Sequence, residues 1–171
     1  MTDKRVLLYD FEVYPREWLV VIIDYHSKEK TIIINDLPKL RDFYDENRLS
    51  IWVGYNSREY DQYILKGLLL GFDPWYINTE IITNGKRGWQ VVRDADEITL
   101  YNFDISTGFH SLKQLEGFMG STIKETDVPF DIDRALTQEE IEQVVFYCTH
   151  DVEETMKVFN YRKEEFDSQL L

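Results

Sequence analysis

Cysteine is almost missing from this sequence: Cys148 stands alone among 171 residues. A lone thiol permits no intrachain disulfide, so the fold must rest on its core, and a reducing, cytoplasmic setting is expected. Proline and glycine are also sparse, at four and eight residues. They form no linker-like tract, and no repeat or low-complexity segment divides the chain, so 1–171 is read as one domain. No apolar run approaches the roughly 20 residues of a membrane span. Met1-Thr-Asp-Lys-Arg5 leads into a short strand-like run rather than a signal-peptide core, and no membrane partner is expected. Positive charge is short as well, with 19 Lys and Arg against 32 Asp and Glu, for a net −13. Such a balance argues against a broad phosphate-tracking surface. It leaves open enzymes that bring phosphates to carboxylates through bound cations, which need a local acidic cluster. The remaining charge is read as solvated surface or as a face turned toward a more basic partner.

What is present is a globular composition, 43% hydrophobic and 15% aromatic, long enough to bury a substantial core. Arg5 to Val13, Glu17 to Tyr25 and Thr31 to Asn35 are rich in β-branched and aromatic residues and read as an antiparallel meander. A helix follows over Leu37 to Glu46, then a short strand Ile51 to Val53, then a helix from Arg58 to Leu70 closed by Gly71. Strand, helix, strand implies a crossover and a partly parallel sheet. Pro74 to Thr83 reads as helical, and Trp89 to Arg93 and Glu97 to Asp104 as strands around a polar turn. After Ser111 the pattern turns helical. Thr137-Gln-Glu-Glu140 carries an N-cap signature, and a second helical run extends from about His150 to Phe166. It meets no Gly or Pro stop, which fits a polypeptide that continues.

Three segments carry acids in suggestive positions. Asp10-Phe11-Glu12 ends the first strand, and because strand side chains alternate, Asp10 and Glu12 project from one face and can converge on a divalent cation. Asn56 and Asp61 lie where a strand gives way to a helix; taken alone, they read equally as a helix cap and a favourable first-turn charge. Tyr147 and Asp151, four residues apart, share one face of a late helix. Alone, that pair reads as an aromatic core residue beside a surface acid.

Together the segments resemble the three motifs of the DEDD (DnaQ-like) 3′-5′ exonuclease superfamily: D-x-E, N-x(4)-D and the Y-x(3)-D form of its tyrosine subgroup. The histidine subgroup would need His where Phe146 stands. Tyr55-Asn56 with Tyr60-Asp61, the segment from Asp104 through Ser111-Leu-Lys-Gln-Leu115, and Tyr147-Cys148 leading to Asp151 are most similar to the exonuclease domains of phage-type and family B DNA polymerases. Family B polymerases usually place another domain first, whereas Asp10 is almost N-terminal here. The expected context is therefore a phage-type nuclease or the N-terminal module of a longer protein.

The resemblance implies an α/β, ribonuclease H-like mixed sheet flanked by helices, with a helical C-terminal part. It also implies phosphodiester hydrolysis at single-stranded 3′ ends of nucleic acid, DNA first, by a two-metal mechanism with Mg²⁺ or Mn²⁺. Asp10 would be the shared metal ligand, with Glu12 and Asp151 on the side of the attacking water, Asp61 on the side of the leaving oxygen, and Tyr147 orienting the water. Oxygen-only ligands favour these hard cations over Zn²⁺. By the same analogy Asn56 and Tyr60 would line the strand's 3′ end. Phe11 would stack on its terminal base, core packing being the alternative for that ring. Gly85-Lys-Arg-Gly88, with Trp89 and Arg93, forms a basic and aromatic cluster that reads as a strand-touching loop or as an ordinary hairpin turn. A polymerase domain or another replication protein is the implied protein partner. The competing reading is a catalytically weak nucleic-acid-binding or interaction module, although such a module would have no need of all five of Asp10, Glu12, Asp61, Tyr147 and Asp151.

Overall fold

The computed structural model describes residues 4–106 and 126–163. The expected Ser111 helix and most of the Asp104–Leu115 segment lie outside them. A five-stranded mixed sheet is built from β1 (Val6–Val13), β2 (Trp18–Asp24), β3 (Lys30–Ile34), β4 (Ile51–Gly54) and β5 (Tyr101–Asp104), in the order β3-β2-β1-β4-β5. β1 runs antiparallel to β2, with Asp10 opposite Val21 and Glu12 opposite Leu19. β2 is antiparallel to β3, whereas β1, β4 and β5 are mutually parallel. The meander and the crossover expected from the sequence are thus both present, in a ribonuclease H-like arrangement.

Alternation along β1 divides the core. Leu7, Tyr9, Phe11 and Val13 face an aromatic-rich layer with Trp18, Trp52 and Leu40, covered by α1 (Leu37–Glu46) and α2 (Asp61–Leu69). Val6 and Leu8 face the other way, against Val144, Cys148, Val152 and Phe159 of α5 (Gln138–Tyr161). These α5 residues recur at helical spacing and form one stripe. α1 starts where Asp36 accepts the Lys39 N–H and Pro38 occupies its first turn, as cap chemistry dictates. α5 starts on a reciprocal pair: Thr137 accepts from Glu140 N–H at 3.1 Å, and the Glu140 carboxylate accepts from Thr137 N–H at 2.9 Å.

Four local readings change. The two expected C-terminal helical runs form one continuous helix of 24 residues, because nothing between Cys148 and Asp151 breaks a helix. α2 begins at Asp61 rather than Arg58, since the preceding residues are tied into a turn. Trp89–Arg93 is not a strand. Gly88–Val91 forms a single helical turn, α4, whose preceding Arg87 N–H is held by the Gln90 side chain at 3.0 Å. Val91 and Val92 are both buried. Ala95–Glu97 is a 3-10 turn, so only Tyr101–Asp104 of the expected Glu97–Asp104 strand pairs. The helical expectation for Pro74–Thr83 holds with a twist: α3 (Pro74–Asn78) runs directly into a π-helical turn, Thr79–Thr83.

Candidate carboxylate site

β1 pairs with β4 only through Val6, Leu7 and Leu8. Beyond Leu8 it outruns its parallel neighbour at the carboxyl end of the parallel strands, the edge where open α/β sheets place ligands. Asp61 occupies the position that β4 leaves: its Oδ1 accepts the Phe11 backbone N–H at 2.9 Å. Asp61 is only 3% exposed. A carboxylate from the first turn of α2 thereby replaces a missing strand partner and is fixed beside Asp10.

The chain reaches Asp61 through a tight turn. At Gly54 a Cβ would meet the Ser57 Cβ at 2.6 Å, so only glycine lets the backbone fold back there. Asn56 adopts φ +56°, a left-handed conformation that asparagine tolerates well. Asp104, at the end of β5, braces this turn: it accepts the Asn56 N–H at 2.9 Å, the Arg58 N–H at 3.0 Å and the Ser106 N–H at 2.8 Å.

From the opposite side, α5 brings Cys148 against β1. The thiol lies 3.4 Å from Asp10 Oδ2 and 3.5 Å from the Asp10 carbonyl oxygen. One ligand atom each from Asp10, Glu12 and Cys148 falls within 4.8 Å of the others. Burial, together with the charges of Asp10 and Glu12, holds the Cys148 thiol well above its usual pKa, so it remains a protonated donor. Glu12, Tyr147 and Asp151 line a common cleft of about 490 Å³ with Tyr14, Val128, Phe130 and Val144.

The electrostatics are one-sided. Burial lifts the Asp10 carboxyl well above its ordinary range, and repulsion by Asp61, Glu12 and Asp151 lifts it further, against relief from the Cys148 thiol. Asp61 is raised to about 7, chiefly by burial; the Phe11 N–H and a hydrogen bond with Asp10 oppose the rise and Asp104 adds to it. Tyr60 is also pushed up, by burial first and then by Asp61, Glu12 and Asp10. Its neutral hydroxyl donates to Asn78 Oδ1 at 2.6 Å.

Asp61, Glu12 and Asp151 therefore all lie near enough to Asp10 to act on its charge, and Glu12, Tyr147 and Asp151 share the adjoining cleft. Tyr60 flanks them and Asn56 lies exposed on the turn. Phe11 is the exception. Its ring is 3% exposed and packs on Tyr9 and Trp18, on the sheet face opposite the acids. Base stacking is therefore closed to that ring in this structure, and Phe11 serves the site through its backbone N–H. Two residues in the segments that carry the resemblance, Asp104 and Cys148, were given no part in the site from the sequence. For Cys148 a signal existed: it stands three residues before Asp151, on the same helical face.

The donor set fits a hard divalent cation. Asp10 and Asp61 are buried carboxyls held above their ordinary pKa, with three further acids acting on Asp10, a strain that a cation would relieve. The protonated thiol at their edge does not change that preference.

Compared by sequence, the chain matches no protein-family model and no curated protein. Its fold is similar to part of phi29 DNA polymerase. Against the polymerase complexed with single-stranded DNA the TM-score is 0.59 at 13% identity, over 95% of this chain and 32% of the polymerase. Against the binary complex with primer-template DNA it is 0.56 at 10% identity, over 95% and 32%. The chain thus spans about a third of the length of the polymerase it matches, and at these identities the likeness is one of fold.

Proposed function

We propose that this protein is a metal-dependent 3′-5′ exonuclease that removes nucleotides from single-stranded 3′ ends, DNA first. The observation that carries the reading is that Glu12, Asp61 and Asp151, from three distant segments, all act on the buried Asp10 carboxyl at the carboxyl end of the parallel strands. The fold likeness to a DNA polymerase supports it.

Asp10, Glu12, Asp61 and Asp151 would hold Mg²⁺ or Mn²⁺, which, when bound, neutralises the phosphodiester and lowers the pKa of water. Asp10, on which the other three acids act, would be the central ligand. Glu12 and Asp151 open onto the cleft together with Tyr147, whose phenol would orient the attacking water by hydrogen bonding. Asp61, held in place by the Phe11 N–H, would serve the side of the leaving 3′ oxygen. The Cys148 thiol, as donor to Asp10 Oδ2, fixes the orientation of that carboxylate. Val128, Val144 and Phe130 form the apolar wall against which the terminal nucleoside packs, with Asn56 and Tyr60 lining the approach of the strand.

The test is incubation of the protein with a 5′-labelled single-stranded oligonucleotide and Mn²⁺ or Mg²⁺. A ladder shortening one nucleotide at a time, abolished by EDTA, is the expected result. Failure to shorten either DNA or RNA would sink the reading, leaving the fold to binding or interaction alone.

A further inference from the structure

Residues 81–93 carry Lys86, Arg87 and Arg93 without a single Asp or Glu, in a chain that has 32 acids. The structure folds this stretch into a surface rather than a hairpin. Trp89, Ile82 and Tyr76 are 62%, 60% and 50% exposed on it. Lys86 pairs with Glu80 of the π-helical turn, and Tyr76 and Arg93 lie near enough to act on its charge. Arg93 makes no ion pair among the described residues and is exposed. Aromatic faces and cations are thus interleaved on an otherwise acidic molecule.

This surface abuts the carboxylate site. Arg87 bonds Glu59 at 3.2 Å, two residues before Asp61. Gly88 seats α4 directly on the Tyr63 ring of α2, where a Cβ would come within 2.0 Å of the ring. Arg58, in the turn that leads to Asp61, acts on the same Tyr63. Tyr60 ties that turn to Asn78 at the end of α3. α3, the π turn and α4 are therefore packed together against the N-terminal half of α2.

We infer that the Tyr76–Lys86–Trp89–Arg93 surface is a tracking platform for single-stranded nucleic acid, carrying the strand whose 3′ end enters the carboxylate cluster; the inference rests on the exonuclease reading for the destination of that strand. Charge complementarity selects a polyanion, since in a chain of net charge −13 the stretch 81–93 brings three cations and no acid of its own, with Arg93 in no ion pair among the described residues. Exposed ring faces select unpaired bases, which can stack, over a duplex, whose bases are already stacked.

Binding of a 5′-fluorescein 12-mer of deoxythymidine is measured by anisotropy in EDTA, where no strand is cut. Trp89→Ala should weaken binding about tenfold, within the range of one lost base–aromatic stack. Arg93→Ala should lower the slope of log K against log salt by about 0.7, one phosphate contact for a single strand. Both positions are exposed, so the fold is retained, and Mn²⁺-dependent turnover of thymidine 5′-p-nitrophenyl phosphate, too short to span the two sites, should stay at the wild-type value. Wild-type protein that fails to bind the 12-mer, or variants that bind it as wild type does, would overturn the inference and leave the surface to a protein contact. Patch-dependent binding without turnover of either substrate would uphold the platform and sink the exonuclease reading alone.

Discussion

The two ends of β1 treat buried acids in opposite ways. At its start, Arg5 donates to Asp24 Oδ2 at 2.9 Å and to Asn47 Oδ1 at 2.6 Å, while Asp24 Oδ1 accepts the His26 and Ser27 N–H groups at 2.9 and 3.0 Å. Burial alone would raise Asp24, but the Ser27 N–H, the Arg5 guanidinium and the His26 N–H outweigh it, and its pKa lies below the ordinary value. At the other end, Asp10 and Asp61 are buried against further acids and lie above it. One end satisfies its charge and stabilises the sheet. The other holds charge that costs stability, the usual mark of a site kept for a ligand.

The largest effect should come from breaking the second end. Asp10→Asn is expected to lower exonuclease turnover at least a thousandfold, about 4 kcal/mol of transition-state stabilisation. It should leave the metal-free melting temperature unchanged or higher, because a repelling charge is gone. Single-turnover kinetics and calorimetry on the same sample test both halves; a large drop in melting temperature would mean that Asp10 holds the fold rather than a cation.

Next in size is the pH dependence of metal-free stability, where the two ends carry opposite signs. Asp61 is raised from 3.8 to about 7, so the folded state holds a proton that the unfolded state has lost across that window, and stability falls as pH climbs from about 4 to 7. Asp24 is lowered; its contribution is complete above its unfolded pKa and fades only as pH drops below it. Unfolding in EDTA across this range should show the decline. Saturating Mn²⁺ should reverse it, since cation binding needs the deprotonated acids. A flat metal-free profile would show that the burial of the Asp61 carboxylate is compensated by other means.

Asp24→Ala should cost about 2 kcal/mol of stability, by stranding the Arg5 guanidinium and two backbone N–H groups. Turnover should be unaffected at temperatures where the variant is folded. Loss of activity without loss of stability would erase the distinction between the ends.

How much of this was legible in the sequence depends on how far each cause reaches along the chain. The meander, α1 and the Thr137 cap were readable because alternation and capping are local. The Asp10-x-Glu12 spacing was readable for the same reason. Asp104 was not, since the turn it braces lies 46 and 48 residues away, and nothing local distinguishes it from a surface acid. Cys148 touches Asp10 across 138 positions. Phe11 was left open between core and substrate, although the alternation that put Asp10 and Glu12 on one face already put its ring on the other. The stretch from Trp89 to Arg93 looked like a strand because Val91 and Val92 are β-branched; the packing of Gly88 on Tyr63, a tertiary contact, decided otherwise.

A third acid sharpens the comparison by separating compensation from burial. Glu140 bonds Arg134 at 2.7 Å and accepts the Thr137 N–H at 2.9 Å, and these contacts, the Arg134 bond foremost, bring its pKa down to about 2. It is as well partnered as Asp24, yet it sits on the surface at the start of α5, where solvent screens the charge and little stability follows from the pair. What the cap contributes lies instead in the Thr137 hydroxyl, which satisfies the Glu140 N–H. Thr137→Ala should therefore cost only about 1 kcal/mol, roughly 3 °C in melting temperature. Tyr147, Cys148 and Asp151 lie farther along the same helix, past its buried Val144, so fraying of the first turn should leave turnover unchanged. A drop in turnover at matched folded fraction would mean that the start of α5 positions the carboxylate site, and that this end of the helix belongs with the uncompensated acids rather than with the satisfied ones.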